Sequence, residues 1–520
     1  MPKPLFFSLA VLLSIALGAR TLAQAATDNT ASRKPNFIII NIDDLGYADI
    51  GPFGSTTSTP QLDRMAKEGM KLTSHYAAPV CSPSRAALMT GCYPKRALPI
   101  PHVLFPSAHV GLNPNEVTIA EVLKDAGYTT ACIGKWHLGD QKPFLPTSQG
   151  FDSYYGIPYS NDMGPASEGA KSNPDKPLPA PNANPNRPRA NANVTGDADG
   201  TGVRNPQPPL PLVENDKVIA RLRAEDQFQF TKNYTERAVK FIREHQEQPF
   251  FLYLPHSAVH FPLYPSKEYM GKSPNGLLGD WAQEVDWSVG RVLDTLRELK
   301  LDANTLVIFT SDNGGSVPHG SNNKPLRGSK ASTWEGGIRV CTIAWWPGKV
   351  PAGTSSDAIT SMMDVLPTLA KLGGGKVPTD RKIDGVDIWP VLAGDAKDTA
   401  KAPRTEFYYF RGPTLDAVRS GDWKLHLAIR NGPPNKPTGE PHVELYNLKD
   451  DISEASNVAK EHPDVVARLQ AMAKSMEGDL GTKEFGPASR PLGRVENPQP
   501  FISLDGTVRA DAVGTSKTLP

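Results

Sequence analysis

Cys81 opens the pentapeptide Cys81-Ser82-Pro83-Ser84-Arg85, and the residues that follow, as far as Gly91, have helical composition. Ser82 fits an N-cap, Pro83 a first turn and Gly91 a helix stop. A group at that position faces the positive end of the helix with Arg85 one turn on. Both features favour an anion there and would activate a thiolate. On either side of Cys81 in the chain stand two polar pairs, Asp43-Asp44 and Asp312-Asn313. These are hard oxygen donors, suited to Ca²⁺ or Mg²⁺ rather than zinc. Either pair alone also reads as a turn, but both close apolar runs, and together they predict a metal site.

Lys135 and His137 are two residues apart, so in an extended segment both project from one face, with Trp136 on the other, and can reach one anion. His256 and His260 follow another apolar run; His256 reads as structural. Lys330, in Arg327-Gly328-Ser329-Lys330, would mean little by itself. Among the other cysteines, Cys132 and Cys341 sit in apolar runs and read as small buried hydrophobes. With Cys92 they bring the total to four, too few for a disulfide scaffold in 520 residues.

The elements that must hold these groups are legible as alternating strands and helices. Phe37 to Ile42 is a continuous β-branched run, as expected of a strand buried on both faces, and it ends in Asp43-Asp44, where α/β proteins place their sites. Helical and strand patterns then alternate: Thr118 to Ala126 before Thr129 to Trp136, and Tyr234 to His245 before Phe250 to Leu254. A long amphipathic helix carries Val285, Val289, Val292, Leu296 and Leu299 on one face and precedes a strand from Thr305 to Thr310. Asp286 and Trp287 in that helix read as capping and packing residues. The chain therefore reads as a catalytic α/β domain over residues 26–400, interrupted at about 164–207 by a Pro/Asn-rich surface loop that holds the sequon Asn193-Val194-Thr195. A smaller antiparallel sheet with one helix follows over 401–485, and then a polar tail, 486–520, draped on the surface or disordered.

Met1 to Ala25 has a basic start, an apolar run and a small-residue cleavage site, which predicts a signal peptide and an exported product, periplasmic or secreted, with no membrane span. Lys and Arg number 56 against 55 for Asp and Glu, a net charge of +1, so no overall field recruits nucleic acid or an anionic membrane.

The segment from Cys81 to Gly91 resembles the signature of the formylglycine-dependent sulfatases, within the alkaline phosphatase superfamily. Asn41 to Gly46, Gly134 to Gly139, Gly156 to Asp162 and Ser311 to Gly315 extend the resemblance over nearly the whole chain. It implies an alkaline-phosphatase-like fold with a large mixed, mostly parallel sheet, and hydrolysis of a sulfate ester. Cys81 would be oxidised to formylglycine by a maturation enzyme. One hydroxyl of its hydrate attacks sulfur; the other collapses to the aldehyde and releases sulfate, an escape that a thiol lacks. By the same resemblance Asp43, Asp44, Asp312 and Asn313 hold a cation, Ca²⁺ in preference to Mg²⁺, with residue 81 as a further ligand. Lys135 and Lys330 bind sulfate, His137 contacts the formylglycine hydroxyl, and His260 serves the sulfate or the leaving group. Ser160 points to the branch of arylsulfatase A and the galactosamine-6-sulfatases.

The substrate expected is a sulfated small molecule or a sulfated glycan. A phosphonate or phosphodiester hydrolase of the same superfamily shares the cysteine motif, and a silent glycan-binding relative is the reading from another class. The intact set that includes Arg85 opposes the latter.

Overall fold

The computed structural model describes residue 1 and residues 33–174, 176–178, 207–396, 399–431 and 438–514. Nearly all of the expected signal peptide, most of the Pro/Asn-rich stretch with Asn193, and the last six residues lie outside the described residues.

Asn36–Ile42 is the central strand of an eleven-stranded sheet, paired in parallel with Phe250–Pro255 on one side and Thr305–Ser311 on the other. Its side chains alternate between two cores: Phe37 and Ile39 enter one, Ile38, Ile40 and Ile42 the other. That is why the run is continuously apolar; each of these buried side chains stabilises the fold by roughly 1.5–3 kcal/mol. Beyond Phe250–Pro255 lie Thr129–Ile133 and then Ser153–Gly156, both parallel, and the antiparallel hairpin Leu210–Glu214 with Lys217–Leu222 closes that edge. On the far side Arg339–Trp345 runs antiparallel between Thr305–Ser311 and Met70–Tyr76. The sheet is mixed and mostly parallel, as expected.

The long amphipath is the helix Gly276–Glu298, with Val285, Val289, Val292 and Leu296 wholly buried. Asp286 caps a different helix, Pro60–Glu68, by accepting from the amides of Gln61 (3.2 Å) and Leu62 (2.7 Å). Thr118 caps Ile119–Asp125 with a full capping box.

Three local expectations need correction. The helix Cys81–Thr90 begins at Cys81 itself, so Ser82 is not its cap; the Ser82 hydroxyl instead accepts from the Leu104 amide at 3.1 Å. Gly91 does end it, in the left-handed conformation that a glycine adopts freely. The strand expected to reach Trp136 stops at Ile133. Gly134 (φ 135°) and His137 (φ 65°) turn the chain, and any side chain at position 134 would meet the Pro255 carbonyl. The tail, finally, is anchored: Gly493–Arg494 pairs with Val110–Gly111, and Phe501 and Ile502 join the main core.

The C-terminal sheet is an antiparallel meander of Glu406–Arg411, Thr414–Ser420, Trp423–Asn431 and Thr438–Asn447. Helix Pro463–Ser475 packs on it through Leu469, with Val465 and Met472 beside it. Among the described residues no helix is long and apolar enough to cross a membrane.

Candidate active site

Four neighbouring parallel strands deliver their polar residues at the same edge of the sheet. Asp43 and Asp44 follow Asn36–Ile42, Asp312 and Asn313 follow Thr305–Ser311, His256 and His260 follow Phe250–Pro255, and Lys135 and His137 follow Thr129–Ile133. Backbone bonds lock these ends to one another: Asp43 N donates to Ala258 O at 2.8 Å, Asp312 N to Ile42 O at 2.9 Å and Lys135 N to Pro255 O at 2.8 Å.

The first residue of helix Cys81–Thr90 points into this edge. Cys81 Sγ lies 3.4 Å from Asp43 Oδ1 and is buried. Ligand atoms of Asp43, Asp44, Cys81 and His260 all stand within 4.8 Å of one another. Burial, then Asp312 and Asp43, push the Cys81 thiol well up from its ordinary range, against Lys135 and Lys330. A simple thiolate nucleophile is disfavoured in this setting.

Charge around the cysteine is crowded and balanced. Lys135 Nζ pairs with Asp43 Oδ2, and Lys330 Nζ lies 2.7 Å from Asp44 Oδ1. Arg85 Nε (3.0 Å) and Nη2 (2.8 Å) both donate to Asp312 Oδ2, so the guanidinium holds a carboxylate in place rather than reaching residue 81. Against the cost of burial, Lys135, His260, Arg85 and Lys330 hold the Asp43 carboxyl well below its usual range, whereas burial and the adjacent Asp43 push Asp312 upward.

Two of the buried polar atoms that have no partner belong to Asn313 and His137. Asn313 donates from Nδ2 to Asp44 Oδ1 at 2.7 Å, but its Oδ1 bonds nothing. His137 Nε2 donates to the Leu104 carbonyl at 2.9 Å, which leaves Nδ1 as a bare acceptor. What sets these two apart is that they stand as free acceptors beside clustered carboxylates, an arrangement that suits a ligand. Three carboxylates with one free amide oxygen are the donors that a hard cation takes, so these residues fit a Ca²⁺ or Mg²⁺ ion. His260 also stands by this group, its Nε2 3.6 Å from Asp44 Oδ2 and its Nδ1 2.6 Å from the Phe261 carbonyl. Burial and Lys330 lower its pKa. Ser160 Oγ is 3.4 Å from His260 Nδ1. His256 turns away to Ser288 and the Tyr234 ring, as a structural residue does.

A model of the sulfatase family matches residues 35–375, and one of the C-terminal region of aryl-sulfatases matches 402–491. The chain belongs to the sulfatase family. Bovine arylsulfatase A is 36% identical to this sulfatase over 518 residues, 92% of this chain and 94% of that protein. Mouse N-acetylgalactosamine-6-sulfatase is 39% identical over 420 residues, 76% and 72% of the two. Among solved structures, Ps i-CgsB in complex with k-i-k-neocarrahexaose superposes with a TM-score of 0.68 at 32% identity, covering 86% of this chain and 92% of its own. The enzyme is thus a sulfuric ester hydrolase.

Sequence reasoning passed over two residues beside this sulfatase's site. Asp162 lies near His260 and Ser160, and its place in the same motif as Ser160 was the available signal. His319 stacks on Phe261 with ring centroids 4.4 Å apart and feels the charges of Asp44 and Lys330. Only its position six residues after Asn313 hinted at this.

Proposed function

We propose that this sulfatase cleaves aryl or carbohydrate sulfate esters with a formylglycine nucleophile made from Cys81 by a maturation enzyme. The observation that carries this reading is the position of Cys81, first in its helix and facing Asp43, under the charges of Lys135 and Lys330. Hydrated formylglycine supplies two hydroxyls, one to attack sulfur and one whose loss of a proton re-forms the aldehyde and releases sulfate. Asp43, Asp44, Asp312 and Asn313 would hold Ca²⁺, which supplies positive charge where the nucleophile and the sulfate oxygens carry negative charge.

The chain's own residues do the rest. His137 is fixed with Nε2 as donor, so its Nδ1 takes a proton from a hydroxyl of residue 81. Lys135, paired with Asp43, and Lys330, paired with Asp44, bind the sulfate oxygens. Burial and Lys330 lower the His260 pKa; an anionic ester beside it would favour the imidazolium, which hands its Nε2 proton to the departing alcohol. Ser160 steadies that ring, and Arg85 fixes Asp312.

The relatives include enzymes named arylsulfatase A, steryl-sulfatase and N-acetylgalactosamine-6-sulfatase, and one solved neighbour is in complex with k-i-k-neocarrahexaose. Both leaving-group classes therefore belong to the proposal. So do the division into a catalytic domain (26–400), a C-terminal subdomain (401–485) and a tail (486–520), and export guided by residues 1–25. Turnover of 4-nitrophenyl sulfate against 4-nitrophenyl phosphate and its phosphodiester, followed by a screen of sulfated mono- and disaccharides, tests the reading. Faster cleavage of either phosphorus ester would replace it.

A further inference from the structure

Lys330 is carried on a loop whose backbone is held out of its relaxed shape. Ala331, the next residue, has φ 70°, a conformation that a side chain disfavours. Such a residue persists only where its surroundings fix it. Around Lys330 the loop has bonds of its own: Lys330 N donates to Gly315 O at 3.1 Å, Ala331 N to Pro79 O at 2.8 Å and the Ser329 hydroxyl to Gly315 O at 3.2 Å, and Ser332 bonds back to Ser329. A second set of restraints, in which buried charges take part, comes a few residues on, from the C-terminal sheet.

Lys424, on strand Trp423–Asn431, is wholly buried and donates to the Thr333 carbonyl (2.9 Å), Glu335 Oε1 (2.8 Å) and Glu454 Oε1 (2.9 Å). Glu454 Oε2 in turn accepts from the Glu335 amide at 2.8 Å, and its carbonyl accepts from Arg327 Nη1 at 2.8 Å. Trp334 lies against the Arg327 guanidinium, 3.7 Å from its ring centre, and against the His426 ring at 4.0 Å. The Thr333 hydroxyl donates to Asp416 Oδ2 at 3.0 Å. Thus both ends of the segment 327–335 are bonded to the C-terminal sheet or to the turn that follows it, while Lys330 projects from the middle into the active site.

We propose that Lys424 is a positioning residue for catalysis: through Thr333, Glu335 and Glu454 the C-terminal sheet sets where the Lys330 ammonium stands. This rests on the reading of Lys330 as a sulfate-binding group. Displacement of a charged group by about 1 Å can cost on the order of 100-fold in rate, so a lysine far from the substrate can matter this much.

The test compares three variants of the full-length protein. Lys424→Met removes the clamp. Thr333→Val removes only the bond to Asp416 and spares the buried charges, so it remains informative if Lys424→Met does not fold. Leu469→Ala opens a cavity under the same sheet, on the helix Pro463–Ser475, without touching the clamp. Measured well below each melting temperature, kcat/KM for 4-nitrophenyl sulfate should fall about 100-fold in Lys424→Met and roughly threefold to tenfold in Thr333→Val, with the inhibition constant for inorganic sulfate rising in both. Leu469→Ala should melt earlier yet keep both constants. Hydrogen exchange supplies an arm that needs no turnover: the amides of Lys330, Ala331 and Gly336 should exchange faster in the first two variants and at the wild-type rate in Leu469→Ala. Wild-type protection of these amides in Lys424→Met and Thr333→Val would overturn the proposal whether or not the protein cleaves sulfates. Equal kinetic losses in all three variants would also overturn it. A wild-type enzyme inert toward sulfate esters would overturn the function proposed above instead, and the exchange result would still decide whether the sheet holds the loop.

Discussion

At the ends of the central strands Asp43, Asp44 and Asp312 crowd one buried space, whereas beside the C-terminal sheet Glu335 and Glu454 share a buried lysine between them. In the second cluster every carboxylate oxygen has a partner: Glu335 Oε1 takes Lys424 and Tyr409, Oε2 takes Tyr76 and Arg339, and Glu454 takes Lys424, His426 and the Glu335 amide. Against the cost of burial, Lys424, Arg339 and Arg419 hold Glu335 well below the usual carboxylate range. In the first cluster burial and the adjacent Asp43 push Asp312 upward, and Asn313 Oδ1 and His137 Nδ1 bond nothing. Both clusters are buried and both contain lysine. Carboxylates whose every oxygen is paired make a clamp; carboxylates crowded beside free acceptors make a place for something else.

The comparison breaks most visibly if the clamp proves dispensable for stability. Lys424→Met leaves two carboxylates facing each other in a dry interior and should cost about 3–5 kcal/mol, read from chemical denaturation. Asp312→Asn should behave in the opposite way. It relieves like-charge crowding and keeps an oxygen for Arg85, so melting in EDTA should be close to wild type while bound calcium and activity fall together, activity by on the order of 10²- to 10³-fold. Loss of fold with retention of calcium would show that the crowding is structural.

Glu284 offers a third kind of buried carboxylate, satisfied by the Ser266 amide at 2.8 Å but with no cation, and burial pushes it up to about 7 from an ordinary 4.5. The unfolded chain therefore gives up this proton first. Stability should fall as pH rises from about 4.5 to 7, by roughly 2–3 kcal/mol, and Glu284→Gln should remove that part of the fall when melting is followed across this range. An unchanged pH profile in the variant would contradict the assignment. The smallest effect concerns His260. If it protonates the leaving alcohol, His260→Ala should slow esters of poor leaving groups about tenfold more than 4-nitrophenyl sulfate; an equal loss on both would place it with sulfate binding alone.

Much of the first cluster was legible because its residues close apolar runs. Phe37 to Ile42 announces a two-face strand and Asp43-Asp44 its end, and the same logic picks out Asp312 and Asn313; Lys135 and His260 stand out only through their resemblance to sulfatase motifs. What the chain does not announce is where side chains turn once the strand has stopped. Lys135 and His137 were expected on one face of a strand, yet Gly134 and His137 take positive φ and the chain turns into the site. Ser82 looked like a cap because its type suits one, but tertiary contact with Leu104 claimed its hydroxyl. The clamp was invisible for a related reason. Lys424 sits in a short strand where a lysine ordinarily means solvent, and its partners, Glu335 and Glu454, come from segments some ninety and thirty residues away, a pairing that local pattern does not encode.

The central claim is that residue 81 acts as an aldehyde hydrate, and peptide mass spectrometry of the tryptic fragment that contains it tests this most directly. Active enzyme made in a cell with the maturation machinery should show the mass of formylglycine at position 81, and Cys81→Ala should be inert. Full activity from protein that carries an unmodified cysteine there would contradict the account.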